Sequence, residues 1–139
     1  MTSFDETLAA DARFAQGFEF QVSDPKKAIA SYEKGRAMYE ALAKAHSTET
    51  EYQSELAYTH KILGDLFREM DRRLEAEVSY QEALTIREAL TKAHPTVPEY
   101  QSNLANTHEN LGFFLGATGR TEEAKVSFQD AEAIRAKIR

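Results

Sequence analysis

The chain has no cysteine and no tryptophan, and only three prolines and six glycines among its 139 residues. Without cysteine there is no disulfide framework, and nothing points to an oxidising compartment. No run of about 18 apolar residues occurs, so no segment reads as a membrane-spanning helix. The first residues, MTSFDETLAADARF, have neither a basic region nor an apolar stretch, so they do not read as a signal peptide. A net charge of -6 leaves no concentrated basic face for nucleic acid. No convincing apolar–polar alternation of strand type is present either. A cytoplasmic protein is the expectation.

What is abundant is alanine, glutamate, leucine, lysine and arginine, the composition of long helices. The chain also repeats itself. EYQSELAYTHKILG at 51–64 returns as EYQSNLANTHENLG at 99–112, 48 residues later, and aligning 51–91 with 99–139 gives 19 identities in 41 positions. The period reaches the first third through Ala28, Ala76 and Ala124, and through Tyr32, Tyr80 and Phe128. A fixed period of this length is the mark of stacked supersecondary units. The units are 1–47, 48–95 and 96–139, one domain in all, the last cut short inside its second helix.

Each unit reads as two helices. In the second, Tyr52, Leu56, Leu63, Leu66, Phe67 and Met70 fall at spacings of three and four, one apolar stripe. Asp71-Arg72-Arg73 breaks the pattern before Leu74, Val78, Tyr80, Ala83, Ile86 and Leu90 form another. Ser3-Phe4-Asp5-Glu6, Thr48-Glu49-Thr50-Glu51 and Thr96-Val97-Pro98-Glu99 fit the S/T-x-x-E capping box. Asp24-Pro25 and Thr121 open second helices, and Pro95 closes one. The expected fold is all-α: three hairpins, six helices, with turns near 21–25, 46–50, 70–73, 94–97 and 117–121.

Inside the hairpins, Leu63-Gly64, Phe67, Ala76, Tyr80 and Ala83 follow a pattern matched by Leu111-Gly112, Leu115, Ala124, Phe128 and Ala131. Ala28, Tyr32 and Gly35 fit in unit one, and Gly17 with Phe20 fits if that turn is one residue shorter. This resembles the tetratricopeptide (TPR) repeat, in which small residues let two helices approach and an aromatic fills the space beside them. The family's unit is 34 residues, so this one carries 14 more, about four helical turns. The resemblance implies a right-handed α-solenoid, a non-catalytic scaffold that binds a peptide or protein segment on its concave face. It brings no catalytic residues, and no cofactor is expected.

The residues themselves show no enzyme. No serine lies on a G-x-S-x-G turn, and no glycine loop for phosphate is present. The histidines form two repeat-equivalent pairs, His46 with His94 and His60 with His108, and neither pair has the i, i+4 spacing of a metal site. His60 and His108 stand where the TPR pattern places tryptophan, which argues for packing. His46 and His94 end helices.

In TPR arrays the first helix of each hairpin lines the concave face, so the resemblance nominates the stripes there. In unit three the stripe is Asn103, Asn106, Asn110 and Phe113. Three asparagines on one helix face lower its propensity by roughly 0.5–0.7 kcal/mol each relative to alanine, while their amides suit a peptide backbone. An ordinary solvated face is the equal alternative. Unit two offers Glu55, Tyr58, Ile62 and Asp65, flanked by Lys61 and Arg68. Unit one offers Asp11, Phe14, Phe18 and Gln21. Lys61 and Asn110 match two positions of the family's two-carboxylate clamp, but Asp65 replaces its asparagine and would repel a carboxylate. The balance of Asp11, Glu55, Asp65 and Glu109 against Lys61 and Arg68 calls for a ligand that is neutral to basic and partly apolar. The competing readings are a self-associating structural module, or a fragment of a longer array in a signalling protein. Glu122, Glu132 and Lys137 replace Leu74, Leu84 and Ala89 in the last unit, as at a solenoid end, while unit one carries Lys26 and Arg36 at two of those places.

Overall fold

The computed structural model describes residues 3–138, without the side chains of Ser3 and Val22. Six helices follow in order: α1 (Ser3–Ser23), α2 (Pro25–Ala45), α3 (Thr50–Glu69), α4 (Arg73–Ala93), α5 (Pro98–Ala117) and α6 (Thr121–Ile138). No strand occurs among the described residues. Extensive contacts join only helices adjacent in sequence. The architecture is therefore a linear stack of three hairpins, each built from neighbours in the chain.

The small residues set how closely each pair packs. A Cβ on Gly17, Gly64 or Gly112 would fall 2.7 Å from Tyr32, 2.7 Å from Tyr80 or 2.9 Å from Phe128. Each ring thus lies flat against a helix backbone that only glycine leaves bare. The main core follows from this contact: Ala28, Tyr32, Leu63, Leu66, Phe67, Ala76, Tyr80, Phe114 and Leu115 form one continuous cluster along the stack. A second cluster joins Ala10, Tyr39, Leu42 and Leu56 where the first two hairpins meet.

Two of the three hairpin turns are the same. In α3–α4 the amide of Arg72 donates to the Phe67 carbonyl and that of Asp71 to Arg68. In α5–α6 Arg120 donates to Leu115 and Gly119 to Gly116. These are Schellman closures, which require a left-handed residue. Asp71 (φ 58°) and Gly119 (φ 84°) supply it. Unit one lacks that residue. Asp24 alone separates α1 from α2, its amide donates to the Phe20 carbonyl, and its carboxylate accepts from the Lys27 amide at 3.2 Å. From Gly17 to Ala28 the hairpin is one residue shorter than from Gly64 to Ala76, as the placement of Gly17 required.

Two expected capping boxes do not form. The helix caps are Glu49 and Val97, not Thr48 and Thr96, and neither makes a side-chain cap bond. The reason is a four-residue turn at each junction, closed by the amide of Glu49 on the His46 carbonyl and of Val97 on His94. Thr48 and Thr96 lie inside those turns, and the extended backbone that a cap needs comes one residue later. The box at Ser3 depends on a side chain outside the described ones. Preceding each turn, His46 and His94 are the C-caps of α2 and α4, and their rings rest on Tyr52 and Tyr100 at 5.7 and 5.9 Å.

Candidate functional site

The first helices α1, α3 and α5 share one face of the stack. Tyr52 of α3 meets Thr7 of α1 hydroxyl to hydroxyl at 2.9 Å, and Tyr100 of α5 donates to the Thr50 hydroxyl at 2.8 Å. All the residues nominated from the sequence lie on these helices, but the structure divides them into groups. Tyr58 is half exposed and its ring lies 5.7 Å from that of Phe14, which in turn packs edge-on to Tyr32 at 5.1 Å. Phe14 is thus a packing residue. Phe18 is 69% exposed and Phe113 61% exposed. Phe113 packs edge-on against Phe128 at 5.1 Å and keeps its outer surface open.

The charged candidates are largely satisfied within the chain. Asp65 takes Lys61 at 2.8 Å and the Tyr80 hydroxyl at 2.6 Å, with Arg68 at 4.0 Å. The Tyr80 hydroxyl is pushed well above its ordinary range by burial first and then by this carboxylate. Glu109 pairs with Arg135 of α6, which also donates to the Asn106 amide oxygen at 2.7 Å. Two of the four carboxylates counted as groove charge, Asp65 and Glu109, are therefore neutralised. The Asn103 carbonyl accepts from Thr107 at 2.8 Å, and Asn103 and Asn110 remain half-buried on the same face.

What stays open is a groove of about 580 Å³ towards the N-terminal ends of these helices. Asp11, Phe14, Glu51, Tyr52, Glu55, Glu99 and Tyr100 line it. None of its four carboxylates has a cation at ion-pairing distance among the described residues. Asp11 only accepts the Tyr39 hydroxyl, at 2.6 Å, from across the hairpin. Burial, and then Asp11 and Glu51, raise the pKa of Glu55. Unpaired like charges lower one another's acidity and make the space attractive to a cation. Sequence reading found Asp11 and Glu55 but assigned Glu51 and Glu99 to capping boxes.

Arg87 was missed altogether. It is only 9% exposed, donates to the Thr107 hydroxyl at 2.6 Å, and has no carboxylate within 4.0 Å among the described residues. Burial pulls its pKa down. Its guanidinium borders a recess of about 10 Å³, the room of one water, which shares Ser54 and Tyr100 with the larger groove. The signal in the sequence was the run Tyr39, Arg87, Arg135 at the 48-residue period: Tyr39 and Arg135 reach back to the first helix of their own hairpins, and Arg87 reaches forward to α5.

The opposite face has a valley of about 400 Å³ between α2 and α4, with His60 and Phe67 of α3 at its floor and exposed Leu74 and Val78 at its side. His60 is buried, and its pKa is lowered to about 4 by that burial and by Arg36. Here two of the three carboxylates are occupied, Glu33 by Arg36 at 3.2 Å and Glu75 by Arg72 at 2.5 Å, while Glu82 has no cation at ion-pairing distance among the described residues. Among the described residues no group of three His, Asp or Glu is placed to hold a metal ion. Among the described residues no helix is long and apolar enough to cross a membrane.

No protein-family model matches the chain. No curated protein matches it either. Among solved structures it is similar to BtubC (BKLC) from P. vanneervenii, with 19% identity over 96% of this chain and 72% of that one, at a TM-score of 0.27.

Proposed function

We propose that the chain is a TPR-like scaffold that acts without catalysis, holding a protein or peptide segment on the face formed by α1, α3 and α5. The proposed setting is the cytoplasm. The observation that carries the reading is the groove whose four carboxylates, Asp11, Glu51, Glu55 and Glu99, lack cations among the described residues, with half-exposed Tyr58 against its Phe14 and exposed Phe18 and Phe113 farther along the same helices. Ion pairs hold Asp65 and Glu109 elsewhere on these helices, so the unpaired set fits a basic segment, and the exposed aromatics on the same helices supply anchors for its apolar part. Asn103 and Asn110 add amides able to donate and accept along a peptide backbone. A pull-down from cell extract tests this. Wild type and an Asn106→Ala, Asn110→Ala, Phe113→Ala variant are compared with one bearing Glu51→Gln, Glu55→Gln and Glu99→Gln. Partners should be lost from both variants while circular dichroism shows them folded. Identical partners on all three baits would contradict the reading.

A further inference from the structure

The two ends of the stack complement each other. Inside the stack, Tyr39 and Leu42 of α2 share a cluster with Leu56 of α3 and pack near Ile86 of α4. The unit-one counterparts of Leu56 and Ile86 are Ala9 and Met38, both only partly buried, and among the described residues α1 packs extensively on α2 alone. Ala9 and Met38, with Glu6, Ala41 and Leu42, line a mainly apolar depression of about 140 Å³. At the other end α6 occupies the role of α2 and α4. Its Ile138 is the counterpart of Leu42 and Leu90.

The charges agree with the apolar match. Glu77 of α4 pairs with Arg120, the residue before α6, at 2.7 Å. Shifted by one period, those positions are Lys125 of α6 and Asp24 before α2. Arg36 of α2 stands beside His60 of α3. Shifted onward, the second-helix position becomes Glu132, and shifted back, the first-helix position becomes Arg13. Both translated pairs have opposite sign, and Glu132 and Arg13 are of a kind that the interior junctions do not use.

We propose that a second copy of this chain stacks end to end on the first, α6 of one copy against the α1–α2 face of the next. Ile138 then enters the Ala9–Met38 depression, Lys125 meets Asp24, and Glu132 meets Arg13. The contact is heterologous, so it generates open chains of molecules rather than a closed dimer. It leaves the α1–α3–α5 face free.

Sedimentation velocity of the full chain over about two orders of magnitude in concentration tests this. Wild type should sediment faster with concentration, without a plateau at dimer. Glu132→Arg alone or Arg13→Glu alone should weaken association by about tenfold or more, and added salt should weaken the wild-type contact. An equimolar mixture of the two single variants should restore it, because each reversed end finds a complementary end on the other variant. A misfolded variant would not be rescued in this way. A monomer at every concentration, a plateau at dimer, or variants that stay apart on mixing would overturn the proposal.

Discussion

Units two and three are written almost alike, yet the same glycine meets two different surroundings. Gly64 lies against Tyr80, which is fully buried, and Gly112 lies against Phe128, which is 36% exposed. Tyr80 is held in place by Asp65, and a third ring, Phe114, lies 5.7 Å away. At the positions of Asp65 and Tyr80, unit three has Phe113 and Phe128. A hydrogen-bonded pair in the interior has become an aromatic pair at the end of the stack. The period decides which residues meet, and position in the stack decides how firmly they are held.

The largest expected effect follows directly. Gly64→Leu drives a side chain into an immobile ring and should destabilise by about 3 kcal/mol, whereas Gly112→Leu should lose about 1 kcal/mol as Phe128 swings outward. Thermal and urea melts of the two variants measure the gap. Equal losses would remove the distinction between interior and end.

His60 gives the next effect, through pH. Its pKa falls from the ordinary 6.5 to about 4 in the folded chain, by burial and then by Arg36, with Glu40 opposing. The unfolded chain therefore takes up a proton that the folded chain refuses. Stability is fully present above 6.5 and is lost as the pH falls through 4. The difference between pH 7 and pH 5 is about 2 kcal/mol. Urea titrations at the two pH values should show that difference in wild type, over and above what a His60→Phe variant shows.

Tyr80→Phe should destabilise by about 1 kcal/mol, by removing the hydrogen bond to Asp65. Adding Asp65→Phe transplants the unit-three pair. The double variant should recover part of the loss, a coupling that a double-mutant cycle reads directly.

The smallest effect concerns the turns. Asp71 holds a left-handed conformation that Gly119 adopts without strain. Asp71→Gly should stabilise by about 0.5 kcal/mol, and Gly119→Ala should destabilise by about 1 kcal/mol. The same melts check both.

Local rules made much of this fold legible. The period located all six helices, Asp24 capped α2 as its residue type requires, and the small residues marked where rings approach backbone. The capping boxes failed because a turn of four residues shifts the cap by one, and no residue between His46 and Glu49 announces that turn. Site chemistry was less legible because it depends on partners distant in sequence. Nothing near Glu109 announces Arg135, and nothing near Asp65 announces Tyr80, 15 residues on. Glu51 and Glu99 were misread for the same reason: a glutamate three residues after a threonine looks like a cap until the helix start is fixed. Arg87 escaped because a lone arginine in a helix reads as solvated surface until its burial is known.

The central claim is that the face of α1, α3 and α5 receives a basic, partly apolar segment. Its most direct test is an amide-resolved NMR titration of the full chain with a short peptide alternating arginine and leucine. The account predicts saturable shifts concentrated around Asp11, Glu51, Glu55, Tyr58 and Glu99, weakened by salt and by Glu51→Gln, Glu55→Gln and Glu99→Gln together. Shifts confined to the Leu74–Val78 valley of α2 and α4, or none on the first helices, would contradict it.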